Sequence, residues 1–424
     1  VTTLHFLELV TSLSVQAGLV VAATHWAARP LHERTQCRLW TACHVVLLGL
    51  VIAALALPHP RLVQPWSHAT ESQLTDAVSF QTNAGQVVLF VWAVGAVISL
   101  CLLVYRMFQV SRFLKTCTPL NPNSLPENTR ENFADVPSIG VAGSPPGRDE
   151  PASDTSDVRK KRFRGRAIQS IRLLCSPALS SPFCWQFHNP CIVLPDVLLS
   201  LDDEELQFVI RHEVEHLRTG HPLQQFLQRV VEVLFWFHPM VWWASQRTEA
   251  TREFLCDDAA IHSQSEIAAY LRTLLTIVEQ GAARKDPIHA PLAFGRGRSL
   301  IAARAGRLVA RNCTDRPGSK GSGLTAAIVL AVATVIAPTV WLPVNAMASS
   351  QSAWSPWPKW TAAVLHDFDI HARDFEVNAY DVDLNEPADD DSDEHDWSPV
   401  TSLDQRRPGV IPLRGGGYAD VSCC

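Results

Sequence analysis

The residues best equipped for chemistry lie in one stretch, Leu201 to Ile261. It contains His212-Glu213-Val214-Glu215-His216, two histidines four positions apart with a glutamate directly after the first. On a helix, side chains four apart project from one face a turn from each other, the spacing at which two imidazoles share one tetrahedral zinc ion. Glu213 then stands beside the coordination position left for water. A carboxylate there takes the proton of a water attacking a peptide carbonyl and passes it to the leaving amine. Further on, Glu253 and Asp257 are also four apart. Glu253 is the candidate third ligand, and Asp257 the candidate to hold a ligating histidine by its other ring nitrogen.

The flanking sequence says how these residues are positioned. Ser200, Leu201, Asp202 and Asp203 resemble a capping box, with carboxylates at the positive end of a helix. Leu206, Val209, Ile210, Val214 and Leu217 recur at helical spacing, and Gly220 with Pro222 just beyond ends the helix. From Leu223 to Ala244 the chain is apolar and aromatic, with a break at His238-Pro239 because proline cannot continue the hydrogen-bond ladder. This segment reads as lying against or partly inside a bilayer, or equally as a buried core helix. Thr248 to Asp258 makes another helix, on which Glu253 and Asp257 share a face. Residues 171–195 read as short strands interrupted by Ser-Pro and Asn-Pro turns. An edge strand among them would offer its backbone to an extended substrate, the alternative being an ordinary structural hairpin.

The 424 residues carry a formal charge of −6 and a mean hydropathy of +0.05, which argues against a nucleic-acid-coating surface and points to apolar residues bunched in blocks. Four such blocks, residues 4–24, 39–57, 86–105 and 324–342, approach the length a helix needs to cross a bilayer. The first includes His5 and Glu8 and lacks a basic leader, so it reads as a retained anchor and not a cleaved signal, while Val1 reads as a truncated start or a literal alternative start codon. Basic residues collect at Arg29, Arg34 and Arg38, at Arg106, Arg112 and Lys115, and from Arg304 to Lys320. This places residues 106–323 in the cytoplasm of a bacterial-type membrane, with both termini outside.

Residues 121–165 read as a flexible linker whose basic end, Arg159 to Arg166, rests near anionic lipid or is simply solvated. The tail from 343 to 424 starts with Trp354, Trp357 and Trp360 among prolines and turns strongly acidic between Asp367 and Asp396, which reads as a disordered extracytoplasmic segment without EF-hand spacing. Eleven scattered cysteines include no C-x-x-C pair, so neither a zinc knuckle nor a disulfide scaffold is expected. His32, His44, His59, His68 and His188 are isolated and read as ordinary polar positions. The vicinal Cys423-Cys424 has no account.

At this point the chain resembles the BlaR/MecR membrane metallopeptidases, in layout over residues 1–342 and in motif over 170–262. The pieces are Leu173-Leu174-Cys175-Ser176 with Ser181-Pro182-Phe183, Ile192-Val193-Leu194-Pro195, the HEVEH helix, Phe235-Trp236-Phe237-His238-Pro239 with Trp242-Trp243, and Arg252-Glu253 followed by Cys256-Asp257. The resemblance implies a mainly α chain: three spans within residues 1–120, a cytoplasmic gluzincin domain of α+β type at 166–323, and a fourth span at 324–342. It implies one zinc per chain on His212, His216 and Glu253, with Glu213 as base and acid, Asp257 supporting or joining the metal shell, and Cys256 as packing. Its partners would be membrane lipid and a protein substrate, a repressor or the chain itself, with association between copies left open. Two features depart from the family. His221 stands where an aspartate is common, either reshaping the helix exit or adding an imidazole near the metal. The tail lacks an S-x-x-K motif, so sensing by acylation is not supported. Prenyl-protein-type metalloproteases share the ligand pattern but not the Phe-His-Pro and Trp-Trp pieces. A non-catalytic receptor or scaffold with structural zinc is the alternative of another class, and an intact Glu213 speaks against it.

Overall fold

The computed structural model describes residues 3–60, 66, 69–121, 126, 171–187, 190–283, 298–313, 323–346, 354–355, 357–370, 410–413 and 417–420. Most of the linker with its basic run, the acidic stretch 371–409, and Cys423-Cys424 lie outside these residues. The chain divides into two compact units, one of residues 1–16, 49–92 and 335–424, the other of 17–48 and 93–334.

Among the described residues, three helices are long and apolar enough to cross a membrane: α1 (Thr3–Ala28), α2 (Glu33–Ala56) and α3 (Glu71–Thr116). They hold the first three expected apolar blocks, the second helix ending one residue short of Leu57. At 46 residues, α3 is about 69 Å long at 1.5 Å per residue, far beyond a hydrocarbon core of about 30 Å. Its apolar middle is exposed, with Val87, Phe90, Val94, Val97, Ile98, Leu102 and Val104 all facing outward, as lipid-facing side chains do. The fourth expected span differs. Its helix α9 is Gly323–Ile336, 14 residues, followed by a 3-10 turn to Thr339 and an extended segment.

That extended segment explains the polar residues of the first helix. Glu8, Ser12 and Gln16 recur every fourth residue, forming one polar stripe on α1. Gln16 Nε2 donates to the carbonyl of Val340 at 3.1 Å, and Ser12 Oγ accepts from the amide of Leu342 at 3.0 Å. Glu8 accepts from the amide of Asn345 at 3.3 Å and from the indole of Trp341. Gln81 on α3 completes the grip, donating to Val344 at 2.8 Å and accepting from Ala346 at 3.0 Å. Non-helical backbone away from water must find partners within the protein, and the stripe supplies them. The indole of Trp360, on helix α10 (Lys359–His366), donates to the carbonyl of Leu55 at 2.9 Å. The tail's other described elements are the antiparallel strands β5 (Val410–Leu413) and β6 (Gly417–Asp420), where an unstructured segment was expected.

In the second unit, β1 (Thr118–Pro119), β2 (Arg172–Ser176), β3 (Phe183–Trp185) and β4 (Cys191–Pro195) form a sheet in the order β1-β2-β4-β3. β2 and β4 are parallel and β3 is an antiparallel edge. Apart from Arg172 and Ser176 at the two ends of β2, the central strands are apolar, because both faces are covered. Leu173, Ile192 and Leu194 face helix α4 (Asp203–Arg218), packing on Leu206, Val209, Ile210, Val214 and Leu217. The alternate residues Leu174, Cys191 and Val193 pack on Val110 and Phe113, at the far end of α3. The long third helix thus doubles as one side of the soluble core.

Helix α4 begins after Asp202, with Asp203, Glu204 and Glu205 in its first turn, favourable to the helix dipole. The side-chain cap differs from expectation: Asp202 makes no capping bond, and Ser200 Oγ instead donates to Val197 O at 2.7 Å. The helix ends at Gly220, whose φ of +71° suits a residue without a Cβ. Helix α5 (His221–Leu234) follows, and α6 (Pro239–Ala260) starts at the expected break, with Pro239 in its first turn. Gln228, Arg229 and Glu232 of α5 are buried, while Leu223, Phe237 and Trp242 are exposed, so the segment is neither wholly core nor wholly surface. Helices α7 (Ile267–Ala283) and α8 (Arg298–Cys313) lie in the same unit, joining Phe208 of α4 in a cluster of Ile267, Tyr270 and Leu308.

Glu8→Leu leaves the Trp341 indole and the Asn345 amide without this acceptor, and is expected to cost about 1–3 kcal/mol per orphaned donor. Thermal unfolding in detergent should show a lower midpoint, with a smaller loss for Ser12→Ala.

Candidate active site

Helices α4 and α6 pack against each other, and the residues singled out by spacing meet across that contact. His212 Nε2 and His216 Nε2 approach to 3.2 Å. Glu253 closes the triangle, with Oε2 3.5 Å from His212 Nε2 and Oε1 3.7 Å from His216 Nε2. Ligands about 2.0–2.1 Å from a tetrahedral ion lie about 3.4 Å from one another. Two imidazole nitrogens and a carboxylate at these separations fit a divalent ion of borderline softness. Cys256 Sγ also lies within 4.8 Å of ligand atoms of the two histidines, so His212, His216 and Cys256 form a group that could hold a metal ion; burial, with the surrounding carboxylates, raises the pKa of its thiol well above the ordinary value.

Each histidine is held by its remaining nitrogen. His212 Nδ1 is 3.4 Å from Asp257 Oδ1 and 3.2 Å from the hydroxyl of Tyr270. Tyr270 in turn donates to Asp257 Oδ1 at 2.6 Å. Arg304 faces the same group: its Nη2 and Nε lie 2.5 and 3.0 Å from the two Asp257 oxygens, and its Nη1 lies 2.9 Å from Glu253 Oε2. Burial raises the pKa of Asp257, but the Arg304 charge and the His212 hydrogen bond outweigh it and hold the carboxyl at about 2. For His212, burial opposes protonation, and the bonds to Asp257 and Glu253 overcome it, raising the pKa to about 9. The protein groups alone therefore favour a cation at this spot.

His216 Nδ1 contacts His221 Nδ1 at 2.9 Å, and His221 Nε2 contacts Cys37 Sγ on α2 at 3.7 Å. Burial, with His216 and Arg252 nearby, holds His221 well below the ordinary histidine pKa. Neutral, it can accept from His216 Nδ1–H when the His216 proton sits on that nitrogen, leaving its own Nε2–H for the sulfur. His221 therefore stands behind His216, where the sequence left open a place in the metal shell. Glu213 is buried beside the donor triangle and accepts a hydrogen bond from Cys184 Sγ of β3 at 2.9 Å. This contact sets the sheet edge against the centre.

A cleft of about 110 Å³ opens beside these residues. His212, Glu213, Glu253 and Arg304 form its polar end, while Pro182, Leu274, Ile277, Val278, Leu300 and Ile301 make the rest apolar. Of the other histidines, His44 is bonded to Trp40 O at 2.9 Å and Ser245 Oγ at 3.4 Å, away from the centre. His68 and His188 lie outside the described residues. Tyr270, Arg304 and Cys184 belong to the site without having been singled out from sequence. No local spacing marks them, and Arg304 had counted only among the basic residues near an apolar block.

Fold and site together define a helical chain with membrane-compatible helices and a metallopeptidase-like centre. Residues 148–300 match the family described as BlaR1 peptidase M56. The chain is 28% identical over 96 residues, 23% of its length, to the regulatory protein BlaR1 of Bacillus licheniformis. It is 26% identical over 88 residues, 20% of its length, to the methicillin resistance mecR1 proteins of Staphylococcus aureus and Staphylococcus epidermidis. The matched stretches cover 16% of the first relative's length and 15% of each of the others. Through its central segment the chain is thus similar to the BlaR/MecR-type peptidases.

His221→Leu removes the acceptor behind His216 and should weaken divalent-metal retention roughly 10- to 100-fold. His221→Asp, which restores an acceptor, should hold metal like the wild type, as read by chelator competition on the purified chain.

Proposed function

We propose that this protein is an integral membrane zinc endopeptidase that cuts a cytoplasmic or membrane-proximal protein, a repressor or itself, to relay a signal. The observation that carries this reading is the convergence of His212 Nε2, His216 Nε2 and Glu253 within 3.2–3.7 Å, with Glu213 beside them at the polar end of a cleft. Zinc held by His212, His216 and Glu253 would supply Lewis acidity to polarise a peptide carbonyl and acidify water. Glu213 takes the proton from the attacking water and delivers it to the leaving nitrogen, and its burial keeps competing water away. Asp257 and Tyr270 fix the His212 tautomer, and His221 that of His216.

The substrate chain has a natural place. β3 is the sheet edge, and Cys184 sets it against Glu213, so an extended peptide adding to β3 would pass over the centre. A side chain next to the cleaved bond would enter the apolar cleft. In this reading the chain crosses the membrane four times with residues 106–323 cytoplasmic, the fourth crossing made by α9 and the extended residues held by α1. The names of the relatives, a regulatory protein and methicillin resistance proteins, agree with a signalling role.

The deciding comparison is wild type against Glu213→Gln in zinc content and in cleavage, in cells, of the chain itself and of a co-expressed repressor. Both should hold about one zinc, and only the wild type should cut. Equal behaviour of the two with zinc bound would sink the protease reading in favour of a scaffold with a structural metal. Leu274→Trp, which fills the cleft, should lower kcat/KM roughly 10-fold for peptides with a large apolar residue at the cleaved bond and spare alanine peptides.

A further inference from the structure

Arg304 lies beyond residue 300, where the family match ends, on a helix that carries none of the ligand motifs. It is nevertheless buried at the centre and touches two of its acidic groups at once. Nη1 reaches Glu253 Oε2 at 2.9 Å, Nε and Nη2 grip both oxygens of Asp257, and Nη2 also donates to the Tyr270 oxygen at 3.2 Å. The tyrosine oxygen is thereby fully used, accepting from Arg304 and His212 while donating to Asp257. We propose that Arg304 is the positioning residue of the centre. It sets the angle at which Glu253 presents its carboxylate to the two imidazoles, and through Asp257 and Tyr270 it keeps His212 Nε2 turned inward. The inference rests on the metal site of the proposed function and adds a residue that acts on the ligands without being one.

The planar guanidinium is what makes the arrangement specific. It bonds one carboxylate bidentately and a second from its other end, which the point charge of a lysine cannot reproduce. Arg307, one turn further along α8, anchors the same helix elsewhere, with Nη2 2.6 Å from Asp258 Oδ2 and Nε 3.2 Å from Glu33 Oε1. Helix docking and ligand positioning are thus carried by two different arginines and can be separated.

The test uses the full chain in detergent and compares Arg304→Lys, Arg304→Gln and Arg307→Gln in zinc content, chelator competition and thermal unfolding. Both Arg304 variants should give up zinc roughly 10- to 100-fold more readily. Arg307→Gln should unfold at lower temperature yet retain zinc like the wild type. Full retention by Arg304→Lys would reduce the role to charge alone, and equal zinc loss in Arg307→Gln would reduce it to helix docking. Either result overturns the proposal. Should the single Arg304 variants fail to fold, Asp257→Asn is compared with and without Arg304→Gln, which removes the buried carboxylate along with its counterion. Weaker zinc retention in the double variant supports the proposal, and equal retention overturns it. A wild type that binds zinc without cutting peptide would sink the protease reading and leave this one standing.

Discussion

Everything in the second unit depends on two carboxylates buried between helices. Asp257 is fully buried and Glu253 nearly so, both on α6 and both turned toward α4. A carboxylate taken out of water is costly unless opposite charge and hydrogen bonds meet it. Here Arg304 meets both, Tyr270 donates to one, and the imidazoles of α4 complete the ring. The same requirement explains why the centre favours a cation and why α7 and α8 must close over it. Without them the acids would face each other with only histidines between.

The membrane-compatible helices share in this construction. The far end of α3 covers one face of the sheet while α4 covers the other, so β2 beyond Arg172 and all of β4 are buried. At the start of α2, Glu33 pairs with Arg307 and Cys37 contacts His221. Both contacts lie one residue or one turn from groups at the centre. The soluble core is therefore built partly from helices whose other portions are suited to lipid. In the first unit the logic is similar, since the polar stripe on α1 has no use facing lipid and instead satisfies an extended backbone.

How far the sequence could be read follows from the range of the interactions. His212 and His216 share a helix face because of helical geometry alone, and the short strands within residues 171–195 are bounded by Ser-Pro and Asn-Pro turns. Both were legible. The expected capping box was not made, because Ser200 found a nearer carbonyl in the preceding 3-10 turn. The fourth apolar block was longer in sequence than its helix, because its last residues are held extended by side chains more than 300 positions away.

The sequence by itself determined which candidate site residues share a face on two helices, the breaks at Gly220 and Pro239, and the three long apolar helices, since each follows from spacing within a few turns. Only the tertiary structure decided that Glu253 closes on the two imidazoles, that His221 stands behind His216, and that Tyr270 and Arg304 belong to the centre. Those facts depend on how helices far apart in the chain cross one another. The requirement that every buried charge find a partner acts there through space, and no local pattern records it.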